Sequence, residues 1–323
     1  MLRHLADRAA EKDRAALLDS AFLSEFVRGH RSARQRVMLA NVAGEKRRTV
    51  YDCGHAETQP PRGRLVRGEG DPAVKDGAVN QAYASAGTTY DFYDRVLGRN
   101  SVDDRGLRLD SYVHFSRRFN NAFWDGAEMV YGDGDQKLFV GFTQAIDVVA
   151  HELTHGVTQY TVPGGLDYVD QSGALNESIS DVFGSIVKQW SRQQSVTKAD
   201  WLIGAGIMAP AVGKALRSMK DPGNPAVTWS GDDQPATMDH YVKGGDVHTN
   251  SGIPNHAFYL AAMRLGGNAW GDAAKIWYGA LPLLRSTATF ADAAEATIAV
   301  AAKIGKNQAK AVAAAWREVK VIK

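Results

Sequence analysis

The chain has 323 residues, 44% hydrophobic and 23% charged, enough for one or two sizeable cores. Its 38 basic and 36 acidic residues leave a net charge of +2, and no basic tract is interleaved with aromatics, which argues against nucleic acid or an anionic membrane as partner. No apolar run approaches the ~20 residues of a membrane span, and the single cysteine, Cys53, excludes an intrachain disulfide.

Leu2, Leu5 and Ala9, then Ala16, Leu17, Phe22, Leu23 and Phe26, fall at helical spacing. Basic, loop-like stretches follow, from Arg28 to Arg36 and from Lys46 to Arg48. Residues 1–47 are therefore expected as a small helical segment ending in a protease-accessible linker. The charged, amphipathic start has no apolar run of the kind found in secretory signals, which leaves the cytoplasm or export by a non-classical route.

From Thr49 the pattern changes. Strands are expected at Thr49-Val50-Tyr51, Leu65-Val66-Arg67, from Asp110 to Phe115, at Phe123-Trp124, Met129-Val130-Tyr131 and Leu138-Phe139-Val140. A helix is expected over 73–98, with Val79, Ala82, Tyr83, Tyr90, Phe92, Tyr93 and Val96 inward. Asp133-Gly134-Asp135 lacks the spacing of a calcium loop and is read as a hairpin turn. Cys53 is read as a small buried hydrophobe in preference to a thiolate held against a metal. Further helices are expected over 174–190, 257–265, 272–284 and 290–321, so the second half is mostly α. The fold class is α+β in two domains, 48–163 and 164–323, after the helical segment 1–47.

Asp147-Val148-Val149-Ala150-His151-Glu152-Leu153-Thr154-His155 reads as a helix. At about 100° per residue, His151 and His155 lie about 40° apart on one face, so both imidazoles can reach one ion. Glu152 stands beside them. This H-E-x-x-H pattern is that of zinc metallopeptidases. A catalytic zinc takes three protein ligands and keeps one position open. Asn176-Glu177-Ser178-Ile179-Ser180-Asp181, on the next helix, offers two carboxylates four residues apart. One of them can ligate while the other accepts a hydrogen bond from a ligand imidazole.

With Asn120-Asn121-Ala122-Phe123-Trp124, the segment from Met129 to Asp135, Ser172-Gly173-Ala174-Leu175-Asn176-Glu177, Leu216-Arg217-Ser218-Met219 and the segment from Val247 to Ile253, the chain resembles the thermolysin family of zinc metalloendopeptidases. The resemblance runs from about Thr49 to Val321. It implies a β-rich domain and a mostly α domain with the His151 helix between them. It also implies one zinc ion held by His151, His155 and Glu177, with Glu152 as general base. Tyr168 and His248 would stabilise the oxyanion. Asp181 and Asn176 would orient the two histidines. Asn121, Ala122 and Arg217 would hold the substrate backbone, and Phe139, Phe142, Val148 and Leu216 would line a pocket for a bulky apolar residue. Peptides or proteins would be cleaved on the N-terminal side of such a residue. A catalytically weakened member acting as a binding or regulatory protein is the alternative. The N-terminal block resembles the propeptide of the protealysin-like subgroup, without that group's Pro-Pro motif. Its removal is expected between Gly44 and Thr49, and a small protein inhibitor is an implied partner.

Two sites depart from the family pattern. Lys243 stands where the family carries an aspartate five residues before the oxyanion histidine, leaving Asp246 or Asp239 to replace it. Without a replacement, turnover is expected to fall below the family norm. At the family's paired calcium site Asp147 and Asp200 remain, but Lys188, Leu202 and Ala205 occupy the other positions, so the double calcium site is expected to be absent.

Overall fold

A computed structural model describes residues 2–8, 13–23, 45–58 and 61–323. The chain divides into two compact units, Met1–Gly156 with Gly204–Lys214, and Val157–Ile203 with Ala215–Lys323.

The first unit is built on a five-stranded sheet: β1 (Arg48–Asp52), β2 (Arg64–Arg67), β3 (Leu109–Val113), β4 (Ala122–Trp124) and β5 (Met129–Tyr131). The strand order is β2-β1-β3-β5-β4. β1 runs parallel to β3 and β3 parallel to β5, while β2 and β4 close the two ends as antiparallel partners. A parallel pair needs a crossover, and α3 (Gly77–Leu97) supplies it between β1 and β3. Asp76 caps α3 by accepting the N–H groups of Ala78 and Val79, and Gly98 ends it at φ 68. Val79, Ala82, Tyr83, Phe92 and Tyr93 are buried as expected.

Leu138-Phe139-Val140 does not form a strand. The Asp135 carboxylate accepts the N–H groups of Lys137, Leu138 and Phe139 at 3.0, 2.8 and 3.3 Å, which holds this stretch in a turn. Only Phe139 makes an isolated bridge, to Met208 in the returning piece 204–214. The same carboxylate replaces the simple hairpin expected at Asp133-Gly134-Asp135.

Cys53, Phe115, Phe119, Phe123 and Val130 form a buried cluster. Burial pushes the Cys53 thiol up to about 12, so it is the inert hydrophobe its composition suggested. Leu23 packs against this cluster from α2 (residues 13–23), which follows α1 (Leu2–Arg8). Asp13 of α2 accepts from Arg118 at 2.6 Å and from Lys137 at 2.9 Å, and Ser20 Oγ accepts the Asn120 N–H at 3.2 Å. Leu2, Leu5 and Leu17 are buried, whereas Phe22 is 71% exposed and not part of the expected inner face. Ala9, Phe26, the stretch 28–36 and Gly44 lie outside the described residues. Arg48 and Thr49, at the end of the expected cleavage stretch, are already paired in β1.

The second unit is mostly helical: α5 (Asp170–Ser191), α6 (Val247–Asn250), α7 (Gly252–Leu265), α8 (Asp272–Ala280), α9 (Phe290–Ile304) and α10 (Lys306–Glu318). α5 is buried from Ser172 to Gln189, so its polar side chains need partners inside the unit. The helical stretches expected over 290–321 are two helices that part at Gly305, and Trp316 of the second donates to Thr297 Oγ1 of the first at 2.9 Å. Two short strands, β6 (Leu202–Ile203) and β7 (Arg217–Ser218), were not foreseen. Among the described residues no helix is long and apolar enough to cross a membrane.

Candidate active site

α4 (Ile146–Thr161) carries the histidine motif, and the chain passes from the first unit to the second within it, after Gly156. The His151 and His155 rings meet edge to face at 4.8 Å, as residues one helical turn apart should. One ligand atom from each of His151, Glu152 and His155 lies within 4.8 Å of the others, and all three side chains are nearly buried. The two imidazoles at such a separation suit zinc, whose nitrogen ligands sit ~2 Å from the ion, with the Glu152 carboxylate beside them.

Glu152 is held on its other side. Its Oε2 accepts the Trp124 backbone N–H at 3.1 Å, and its Oε1 lies 3.9 Å from His151 Nε2. Thr154 bonds Tyr93 of α3 at 2.8 Å and the Ala150 carbonyl at 2.7 Å. Gly156 is required by closeness: a Cβ there would lie 2.4 Å from Val102 Cγ1 and 3.0 Å from Trp124 Cε2. Sheet and motif helix are thus set against each other through Trp124.

Asn121 and Ala122 lie at the sheet edge. Ala122 pairs with Tyr131 on one side only, and the Asn121 carbonyl accepts from Gly132 at 2.9 Å. The Phe139 and Phe142 rings touch at 5.1 Å. Phe139 is fully covered and backs Phe142, while Val148 keeps a sliver of surface.

In the second unit, Glu177 and Asn176 are buried on α5. Tyr168 Oη donates to Glu177 Oε1 and lies 3.5 Å from His248 Nε2. His248 Nε2 is 3.4 Å from Glu177 Oε2. Gly173 allows this gathering: a Cβ there would stand 2.6 Å from Val247 Cγ1 and 2.9 Å from the Tyr168 carbonyl carbon. The fully buried Asp181 accepts Arg217 Nε and Nη2 at 2.6 and 2.7 Å, and Asn255 Nδ2 at 2.8 Å. Burial disfavours the Arg217 charge, but this carboxylate outweighs it and the guanidinium stays protonated. Leu216 precedes it, nearly buried.

Of the two aspartates named beside Lys243, one meets His248. Asp246 Oδ1 accepts from His248 Nδ1 at 2.8 Å, while Asp239 is engaged by Lys320. Lys188, 3% exposed, donates to Asp200 Oδ1 at 2.8 Å and to the Leu202 carbonyl.

Two family models cover most of the chain: the thermolysin metallopeptidase catalytic domain over residues 37–159, and its alpha-helical domain over residues 164–321. The chain belongs to the thermolysin family of metallopeptidases. It is a zinc-dependent neutral endopeptidase in line with that membership. It is 48% identical over 289 residues to an extracellular metalloprotease of Pectobacterium carotovorum subsp. carotovorum, covering 86% of this chain and 82% of the relative. Protease PrtS of a Photorhabdus strain is 44% identical over 293 residues, covering 86% and 77%. The solved precursor of protealysin, a metalloproteinase from Serratia proteamaculans, superposes with a TM-score of 0.87 at 42% identity, covering 99% of this chain and 97% of that one. The two-domain thermolysin fold expected from the sequence is the one observed.

Several residues of these networks were not singled out from sequence. The Trp124 N–H and Asn255 come from parts of the chain far from the groups they hold.

Proposed function

We propose that this chain, made as a precursor, hydrolyses peptide bonds before bulky apolar residues with His151, His155 and Glu177 as zinc ligands. The observation that carries the reading is the convergence of His151, Glu152 and His155 on α4, with the Glu152 carboxylate steered by a backbone N–H. Zinc, when bound, supplies a Lewis acid that brings the pKa of a water to about 7. Glu152 takes a proton from the attacking water and delivers it to the leaving amine. Tyr168 Oη and His248 Nε2 stand 3.5 Å apart, a spacing that lets both donate to one oxyanion. Asn176 and Asp181 are assigned to orienting the ligand histidines, as in the family. Asp181 also holds Arg217, two of whose donors it engages; the remaining guanidinium N–H groups would bind a substrate carbonyl. The edge position of β4 supports an extended peptide lying along Asn121 and Ala122 as an added strand. Phe142, Val148 and Leu216, with Phe139 behind Phe142, favour an apolar side chain, whose burial is worth about 1.5–3 kcal/mol.

Glu152→Gln should retain zinc and lose casein and furylacryloyl-peptide hydrolysis by at least ~10³-fold. Hydrolysis within tenfold of wild type at full zinc occupancy would exclude Glu152 as the base.

The same reading has no double calcium site. Lys188 places an ammonium on Asp200 at a position where the family pattern has a carboxylate, and a cation there competes with a metal. Melting should be unchanged by mild calcium chelation at intact zinc. A calcium-dependent rise in melting temperature of 10 °C or more would show that a calcium site exists. A small protein inhibitor is proposed as a partner by analogy with protealysin-like proteins alone.

A further inference from the structure

We propose that Asp246 is a positioning residue for His248, supplying from two residues upstream the carboxylate that holds this imidazole toward the oxyanion. The proposal rests on the peptidase reading above. His248 sits at the first turn of α6, and its two ring nitrogens have different partners. Nδ1 meets Asp246 Oδ1 at 2.8 Å; Nε2 faces Tyr168 Oη at 3.5 Å and Glu177 Oε2 at 3.4 Å. An ionised carboxylate only accepts, so the Asp246 contact makes Nδ1 a donor and leaves Nε2 to the reacting side. Asp246 is suited to this. Burial raises its pKa, but the hydrogen bond and charge of His248 outweigh that and hold the carboxyl well below the usual carboxylate range.

The contact is braced from both ends. The same Oδ1 accepts the His248 backbone N–H at 2.8 Å, so aspartate and histidine form one closed local ring. The His248 carbonyl is in turn fixed by Gln234 Nε2 at 2.6 Å and Ser251 Oγ at 2.8 Å. Gly173 lets Val247 approach α5 closely enough to seat the pair. No carboxylate reaches His248 Nδ1 from position 243, which is a lysine with its side chain exposed.

The competing role is helix capping alone, because Asp246 is also the N-cap of α6. Asp246→Ser separates the two in the full-length chain, matured and loaded with zinc: serine caps well but is too short to reach Nδ1. The expected result is unchanged melting, KM within twofold and kcat lowered by between about 10-fold and the ~10²–10³ that removal of an oxyanion donor costs. In a His248→Ala background, Asp246→Ser should lower kcat no further, and Asp246→Asn, which keeps an acceptor in place, should fall between wild type and Asp246→Ser. If Asp246→Ser keeps wild-type kcat, or lowers kcat equally with and without His248, the proposal is wrong while the peptidase reading stands. A wild-type enzyme without zinc-dependent turnover would overturn both.

Discussion

The α4 motif and the group around His248 reach the same end by opposite routes. On α4, three functional side chains sit within five residues, and the 3.6-residue period alone puts them together. Around His248, Tyr168, Glu177 and the Asp246–His248 pair come from three places in the chain. Their meeting depends on a glycine, Gly173, that lets the start of α6 and the loop at Tyr168 lie against α5. A local motif survives drift elsewhere in the chain, whereas a gathered one tolerates relocation of its members. The Asp246–His248 contact, with a lysine at position 243, is where the proposal above puts that tolerance to the test.

The contrast can be sharpened by removing the most buried partner in the gathered region. Asp181→Ala would leave the Arg217 guanidinium buried without its carboxylate, a change expected to cost about 3–5 kcal/mol in chemical denaturation. A loss under 1 kcal/mol would mean that the pair is dispensable and that α5 is held by its apolar face.

A smaller effect tests whether distant polar assembly is confined to the second unit. In the first, His114 is clamped between Asp133, 2.9 Å from Nδ1, and Asp76, 2.8 Å from Nε2, with His55 nearby on Asp133 at 3.6 Å. The Asp133 carboxylate foremost, helped by Asp76 and opposed by burial, lifts the His114 pKa from 6.5 to about 9. A pKa raised on folding stabilises the protein fully below about pH 6.5, and that stabilisation is lost as pH rises through about 9. With both carboxylates about a third exposed, the loss between pH 7 and 10 is expected to be ~1–2 kcal/mol. His114→Gln should flatten this part of the stability profile, measured by urea denaturation at each pH. An identical slope in both proteins would remove the clamp from the account.

What was legible in the sequence follows the same division. Strands β1 to β5, helix α3 and the α4 motif follow from short-period patterns and turn chemistry. Residues 138–140 looked strand-like because their side chains are apolar, but the Asp135 carboxylate took the N–H groups a strand would have used. Phe22 matched a helical stripe yet faces solvent, since spacing cannot say which of two adjacent stripes is covered. The Arg217–Asp181 fork, 36 residues apart, and the Asp76–His114–Asp133 bridge leave no periodic trace at all. Sequence could pose Asp246 and Asp239 as two options beside His248; in the fold Asp246 meets the imidazole and Asp239 meets Lys320.

Lys188 has a consequence of a different kind. A dissolved cation stabilises a fold by mass action, so its contribution rises and falls with its concentration outside the protein. The ammonium on Asp200 and the Leu202 carbonyl is covalently part of α5 and is present once per chain in any medium. That corner of the second unit therefore carries its own counter-charge wherever the protein goes, and dilution cannot take it away.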